Sequence, residues 1–188
     1  MFAGRWDGMT DSGSSKLEQR LKREITGDVL FDPFNRGRYA TDASFYQIMP
    51  AGVVVPRSID EALRALAIAR EAGRTVTPRG GGTSQCGQTV NDGIVIDFSK
   101  HLNRIISFDA ESRSCVVESG IVLDDLNRQL RKHGLWFPVD VSTASRASRS
   151  SSVIEVGKEK FHKHEHRPSA GKPSIKKCKQ FVGCGWKN

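Results

Sequence analysis

The feature that most constrains the fold of this 188-residue chain is a glycine-rich loop. Residues 76–87 read VTPRGGGTSQCG, so three consecutive glycines follow a short β-branched run and lead into two hydroxyl residues. Glycine adopts positive φ readily and has no Cβ that would keep a ligand away from the backbone. A run of glycines can therefore turn several N–H groups toward one anion. Plain linkers also contain such runs, but the apolar sequences on both sides of this loop favour an anion site.

The spacing within the loop excludes two common phosphate loops. A Walker A loop ends in Gly-Lys-Ser/Thr before a helix, and no lysine occurs between Pro78 and Asp97. A dinucleotide fingerprint requires G-x-G-x-x-G at the start of a helix. With Gly80 and Gly82 as its first two glycines, the third position is Gln85. The sequence thus predicts a glycine-rich anion loop of another kind, running from one strand toward the next.

A strand–helix–strand unit leads into this loop. Residues 52–56 are apolar throughout and predict a strand buried on both faces. A capping box at 58–61 predicts a helix that ends at Gly73, followed by a strand at 75–77. The predicted apolar face of this helix consists of Ile59, Leu63, Leu66 and Ala69. Short connections imply parallel pairing with a right-handed crossover, so the loop leaves the carboxyl end of a strand, where open α/β sheets bind ligands.

Other elements are predicted on both sides of this unit. A capping box beginning at Ser15 predicts an amphipathic helix that ends near Gly27, with Leu17, Leu21 and Ile25 on its buried face. Residues 28–46 predict an ordered loop with little regular structure.

Beyond the glycine loop, residues 93–97 predict a third strand, and 104–108 and 114–118 predict a pair joined by a polar turn. A helix over 122–133 is predicted to end at Gly134.

The charge of the chain changes abruptly after residue 147. Residues 1–147 contain 19 Lys and Arg against 18 Asp and Glu, whereas residues 148–188 contain 10 against 3. The preferred basic residue also changes, from arginine to lysine. We interpret residues 148–188 as a displaced reading frame and expect them to be disordered. The alternatives are a nucleic-acid-binding tail and a metal site built from His162, His164, His166, Cys178 and Cys184, although the cysteine spacing fits no common zinc module. We expect neither a metal site nor a nucleic-acid partner.

Composition gives a further expectation about location. No apolar run approaches the roughly 20 residues of a membrane span, and residues 1–15 lack the apolar stretch of a secretory signal. The four cysteines are irregularly spaced, which is typical of a reducing compartment rather than a disulfide framework. A cytoplasmic location is expected.

Four segments carry a resemblance to a known family: residues 38–44 (RYATDAS), 53–56 (VVVP), 78–84 (PRGGGTS) and 137–140 (FPVD). Together they resemble the FAD-binding domain of the vanillyl-alcohol oxidase and p-cresol methylhydroxylase class, the PCMH-type domain. Within that class the chain is most similar to the FAD-dependent dehydrogenases of D-lactate, glycolate and D-2-hydroxyglutarate.

The resemblance implies an α+β fold in which the first α/β subdomain is complete and the second is truncated. It divides the chain into an N-terminal helical segment at 1–27, an incomplete PCMH-type domain at 28–147 and the basic tail at 148–188. The complete enzyme would oxidise a small 2-hydroxy acid, and no residue of this chain is assigned a catalytic role. Two alternatives stay open: a stand-alone FAD- or nucleotide-binding module, and a basic nucleic-acid-associated protein that uses the tail.

The resemblance also implies a cofactor site. FAD would place its pyrophosphate on the loop amides, and residues near 138–145 would line the flavin or its ribityl chain. Thr83 stands where members with covalent FAD carry histidine, so non-covalent FAD is expected. The implied cofactor-binding residues are Pro78, Arg79, Gly80, Gly81, Gly82, Thr83, Ser84, Gln85, Pro138, Asp140, Ser142 and Ser145.

Overall fold

A four-stranded sheet carries the glycine loop. The computed structural model describes residues 12–139, 141–148, 153–155 and 157–158. The strands of this sheet are β1 (Asp28–Leu30), β2 (Gly52–Val55), β3 (Val76–Arg79) and β4 (Ile94–Asp97), arranged in the order β1-β2-β4-β3. β2 and β3 each run parallel to β4, whereas β1 is antiparallel to β2.

The position of β4 corrects the predicted pairing. β2 and β3 run in the same direction, as expected, but β4 lies between them instead of the two pairing directly: Val54 is opposite Ile96, and Val76 is opposite Ile94. β4 and β2, the two interior strands, are both buried along their whole length. β3 is therefore an edge strand, which also explains why Pro78 is tolerated there, since proline cannot donate to a ladder.

Two helices pack on one face of the sheet: α1 (Ser12–Glu24) and α3 (Ile59–Glu71). Leu17, Leu21 and Ile25 are buried as predicted. The predicted start of α1 was wrong, because Ser15 lies within the helix rather than at its cap. The helix also ends before Gly27, whose Cα lies so close to the Val55 carbonyl that a Cβ would overlap with it.

The predicted buried face of α3 was also wrong in part. Ile59 and Leu63 are 42% and 58% exposed. The buried positions are the smaller residues and one isoleucine, namely Ala62, Ala65, Ile68 and Ala69. Small side chains allow the helix to approach the sheet closely, a packing preference that hydrophobicity alone does not reveal.

At the start of α3, one of the two hydrogen bonds of the predicted capping box forms. The Ser58 hydroxyl accepts a hydrogen bond from Glu61 N at 3.2 Å. The Glu61 carboxylate does not return to Ser58; it accepts from the backbone N–H groups of Arg57 at 2.8 Å and Thr26 at 3.1 Å. The cap thereby ties the start of α3 to the connection between α1 and β1.

Residues 28–46 contain more regular structure than predicted. Besides β1, a short helix α2 (Pro33–Gly37) forms because Asp32 accepts from Asn35 N at 3.0 Å and proline occupies the first turn. None of its residues is buried, which explains why no apolar periodicity predicted it.

A second, smaller unit follows β4. The predicted strand pair is present as β5 (Ile105–Asp109) and β6 (Ser114–Val117), antiparallel with one register shift. α4 (Leu123–Leu130) continues into a 3₁₀ turn at Arg131–His133 and ends at Gly134, where φ is +65°. Its buried leucines pack with β6 and with Leu135 of β7 (Leu135–Trp136).

Two short strands lie beyond the predicted boundary at residue 147. β8 (Val153–Glu155) pairs with β6, and β9 (Gly157–Lys158) pairs with β7. The division of the chain at residues 27 and 147 stays a prediction. The histidines and cysteines weighed as a tail metal site lie outside the described residues.

Two expectations from the sequence, on membrane spans and on metal sites, concern the described residues. In that part of the chain, no helix combines the length and apolar character needed to cross a membrane. The same residues contain no group of three or more His, Cys, Asp or Glu side chains that could hold a metal ion.

Candidate functional site

The glycine loop begins at the carboxyl end of β3, and its glycines are required for two different reasons. Gly82 has φ +63°, a left-handed conformation that favours glycine. Gly81 does not have positive φ, but a Cβ there would overlap with the carbonyl oxygen of Arg146. A Cβ at Gly80 would likewise overlap with the Ser148 hydroxyl. The loop is thus packed against a distant segment of the chain.

That segment is residues 141–148, which is fixed by its contacts with α4. The first turn of α4 has no side-chain cap. Instead, Leu123 N donates to the carbonyl of Ala147 at 3.0 Å, and Asp124 N donates to the carbonyl of Ala144 at 3.2 Å. These contacts satisfy two of the amides that a helix N-terminus leaves unpaired. The segment is therefore held where it faces the glycine loop.

A cleft of about 280 Å³ separates the loop from this segment. Drug-sized ligands occupy pockets of about 300–1,000 Å³, so the cleft matches part of a dinucleotide rather than a whole one. Three stretches of chain line it: Thr41, Asp42 and Ala43; Arg79, Gly81, Gly82, Thr83 and Gln85; and Thr143 and Arg146.

The loop amides supply hydrogen-bond donors at this cleft. Gly81 N–H donates to the Ser148 hydroxyl at 3.3 Å. Within the described part of the chain, the N–H groups of Gly82 and Thr83 have no hydrogen-bond partner. Two neighbouring donors at a polar cleft are the arrangement that binds an anion.

Arg79, one of the implied cofactor-binding residues, makes contacts within the protein. Its guanidinium donates to three backbone carbonyls: Nη1 to Tyr39 and Thr89, both at 3.3 Å, and Nη2 to Thr41 at 2.7 Å. The same group lies 5.5 Å from the centroid of the Tyr39 ring. Arg79 therefore fixes the chain around residues 39–41 against the loop.

The segment before β2 is joined to the loop by two further contacts. Ala43 N donates to the Gly82 carbonyl at 3.0 Å. The Asp42 carboxylate accepts from Ser44 N at 2.8 Å and from the Thr89 hydroxyl at 3.1 Å. Burial opposes ionisation of Asp42, but these hydrogen bonds outweigh it and lower the pKa of that carboxyl. Asp42 therefore organises the wall of the cleft as a carboxylate.

Ser84 folds the loop onto itself. Its hydroxyl accepts from Cys86 N at 3.3 Å and from Gln88 N at 3.4 Å, and it donates to the Gln88 side-chain oxygen at 3.0 Å. Of the predicted loop residues, Pro78, Gly80 and Ser84 do not line the cleft.

The residues that the family resemblance assigns to the flavin or its ribityl chain stay a prediction. Pro138, Ser142 and Ser145 are exposed and do not line the cleft, and Asp140 lies outside the described residues. In the described part of this segment, Thr143 and Arg146 line the cleft, and a turn joins them in which Arg146 N donates to the Thr143 carbonyl.

Sequence reasoning missed Thr41, Asp42 and Ala43 as site residues. They lie in the segment RYATDAS that contributes to the family resemblance. That resemblance could have identified them as site residues. Arg146 could also have been identified from the sequence, since it is the only charged residue of 141–148.

The fold and this cleft define a class of flavin-binding domain, and the family comparison agrees. A family model described as "FAD binding domain" matches residues 50–157. The chain belongs to this family, and FAD is the cofactor that the family implies. The donors of Gly82 and Thr83, and a loop in which a Cβ would obstruct the approach to the backbone, fit a phosphate-bearing cofactor.

The relatives narrow the class further. The chain is 41% identical over 140 residues to D-2-hydroxyglutarate dehydrogenase of Escherichia coli (strain K12), an alignment that covers 73% of this chain and 14% of that protein. It is 36% identical over 137 residues to glycolate oxidase subunit GlcD of Bacillus subtilis (strain 168), covering 70% of this chain and 29% of that protein. The chain thus spans a small part of the curated relatives that it matches.

Solved structures confirm the expected PCMH-type fold. Alkyldihydroxyacetonephosphate synthase superposes with a TM-score of 0.64 at 20% identity, covering 71% of this chain and 28% of that one. p-Cresol methylhydroxylase with substrate bound superposes with a TM-score of 0.60 at 15% identity, covering 74% and 29%.

Proposed function

We propose that this chain is the FAD-binding portion of a flavin-dependent dehydrogenase that acts on D-2-hydroxy acids. The observation that carries the proposal is the cleft between the glycine loop of β3 and the segment 141–148. The substrate class is supported by similarity to relatives named D-2-hydroxyglutarate dehydrogenase and glycolate oxidase subunit GlcD.

In this proposal the chain holds and orients the cofactor. The N–H groups of Gly82 and Thr83 would donate to the pyrophosphate, and Ala43 and Asp42 keep the loop in the shape that presents those donors. Attachment is non-covalent, because Thr83 offers no ring nitrogen to the flavin. When bound, FAD supplies the acceptor for the hydride that leaves the carbon bearing the 2-hydroxyl group.

The chain alone is not expected to oxidise the acid. Removal of the hydroxyl proton requires a positioned base, and positioning supplies about 7–11 kcal/mol in such reactions. Neither described histidine serves, because His101 and His133 do not line the cleft and the His133 ring lies 4.5 Å from the Phe108 ring. The base and the groups that bind the carboxylate belong to the remaining length of the complete enzyme.

A cytoplasmic location is part of the same proposal. Of the described residues, Cys86 and Cys115 are free thiols, which is the usual state of cysteine in a reducing compartment. The proposal is open to test by expressing the full protein with a reporter and fractionating the cells.

A titration tests the proposed cofactor. FAD is added to the purified 188-residue chain, binding is followed by flavin fluorescence, and the complex is then precipitated with acid. Saturable binding with all flavin released to the supernatant is expected. Flavin that stays with the precipitate would contradict non-covalent attachment, and no saturable binding would contradict the proposed function.

A further inference from the structure

The charged residues at the cleft differ in whether their side chains form hydrogen bonds within the described part of the protein. Arg79 and Arg146 are its two cations and Asp42 is its anion. Both terminal nitrogens of Arg79 are engaged by the carbonyls of residues 39, 41 and 89. Asp42 is engaged by Ser44 and Thr89. Three of the five N–H donors of Arg79 and the carboxylate of Asp42 are thus used in contacts that shape the cleft.

Arg146 is placed differently. Its backbone is fixed, since Arg146 N donates to the Thr143 carbonyl at 2.8 Å, and its own carbonyl lies against Gly81. Its side chain is exposed and has no hydrogen bond or ion pair with any described residue. Arg146 is therefore a charged residue of the cleft whose guanidinium has no partner among the described residues.

We propose that Arg146 is the cation that binds the pyrophosphate of the cofactor, and that Arg79 acts as a positioning residue for the loop. This rests on the proposed function. The amides of Gly82 and Thr83 and the guanidinium of Arg146 would together hold the pyrophosphate. Guanidinium groups bind phosphate oxygens through paired, charge-assisted hydrogen bonds, which are stronger than those between neutral groups.

The test uses ADP, which carries the pyrophosphate without the flavin. ADP binding to the full 188-residue chain is measured by calorimetry at low and high salt for the parent, Arg146→Gln and Arg146→Lys. Arg128→Gln is the matched control, because Arg128 lies on α4 and pairs with Asp125 at 2.6 Å instead of lining the cleft. Thermal melting of each variant reports whether the fold is intact.

Arg146→Gln is expected to weaken ADP binding about tenfold at low salt, which corresponds to about 1.4 kcal/mol, with an unchanged melting temperature. Arg146→Lys should recover part of the loss, because the charge remains. High salt should reduce the difference in ADP affinity between the parent and Arg146→Gln, since salt screens charge interactions. Arg128→Gln should bind ADP as the parent does.

Two results would overturn the inference alone: equal ADP binding by the parent and Arg146→Gln, or a loss for Arg146→Gln that high salt leaves unchanged. A parent chain that binds neither ADP nor FAD would remove the proposed function, and the inference with it.

Discussion

Tyr39 donates a buried 2.7 Å hydrogen bond from its hydroxyl to Oδ2 of Asp97, the last residue of β4. The contact joins the segment before β2 to the carboxyl end of the central strand, and Arg79 lies over the ring of the same tyrosine. Burial and the neighbouring carboxylate raise the pKa of the Tyr39 hydroxyl, so it is a proton donor at any physiological pH. The walls of the cleft therefore depend on a polar contact in the core.

Tyr39→Phe is expected to reduce the free energy of unfolding by about 1–3 kcal/mol, since it leaves a buried acceptor with one hydrogen bond fewer. Denaturant unfolding measures the change. Tyr46→Phe is the control, because Tyr46 is half exposed and its hydroxyl has no partner among the described residues. Equal stability of Tyr39→Phe and Tyr46→Phe would show that the buried contact contributes nothing.

The ion pairs between α1 and α3 should make stability depend on pH. Glu24 accepts from Arg64 and also pairs with Arg23 and Arg20, and these contacts lower the pKa of Glu24 from 4.5 to about 2. Because the folded-state pKa is lower than that of the unfolded chain, about 4.3 for glutamate, the stabilisation is present above that value. It is lost as the pH falls from about 4.3 toward about 2.

Glu24→Gln should therefore lower the midpoint of denaturant unfolding at pH 7, and the difference from the parent should shrink as the pH falls from about 4.3 toward about 2. Glu18→Gln is the control, since Glu18 makes a single i,i+4 pair with Lys22, and such pairs contribute little. A difference for Glu24→Gln that stays constant over this range would contradict the ionic explanation.

The Ser148 hydroxyl accepts from the Gly81 N–H, so it would compete with a bound anion for that donor. Ser148→Ala should free the donor and strengthen ADP binding several-fold, as one neutral hydrogen bond contributes about 0.5–1.5 kcal/mol. Ser145→Ala, at an exposed position outside the cleft, should have no effect. Weaker binding by Ser148→Ala would show instead that the serine hydroxyl is a cofactor ligand.

The strands beyond residue 147 should be needed for stability. A chain that ends at residue 147 loses β8 and leaves the edge of β6 unpaired, so its melting temperature should fall. A chain that ends at residue 158 keeps β8 and β9, and its melting temperature should equal that of the parent. Equal melting of both truncated chains would show that this pairing does not stabilise the domain.

The sequence predicted the elements around the site better than the site itself. Strands β2 to β6 and helix α4 were predictable because apolar runs and clear end signals, such as Gly134 with its φ of +65°, mark them. The face of α3 was not, because alanine contributes little to hydrophobic periodicity while it decides how closely a helix approaches a sheet. The insertion of β4 between β2 and β3 depends on tertiary packing, which local patterns do not record.

The glycine loop could be located from composition and strand context, but the roles within it could not. Whether an arginine binds an anion or backbone carbonyls depends on which groups from distant parts of the sequence lie near it in the fold. The carbonyls beside Arg79 come from residues 39, 41 and 89. Arg146 reaches the same cleft from a segment that α4 holds in place.

The most direct test of the phosphate cradle compares two glycine-to-valine exchanges. At Gly81 a side chain would overlap with the Arg146 carbonyl, whereas at Gly37 no atom lies within 4 Å of the position a Cβ would take. FAD and ADP binding are titrated by fluorescence and calorimetry, and the melting temperature is recorded for each chain. We expect Gly81→Val to lose both ligands and Gly37→Val to bind them like the parent. Binding of FAD and ADP by Gly81→Val at the affinity of the parent would show that the phosphate site lies elsewhere.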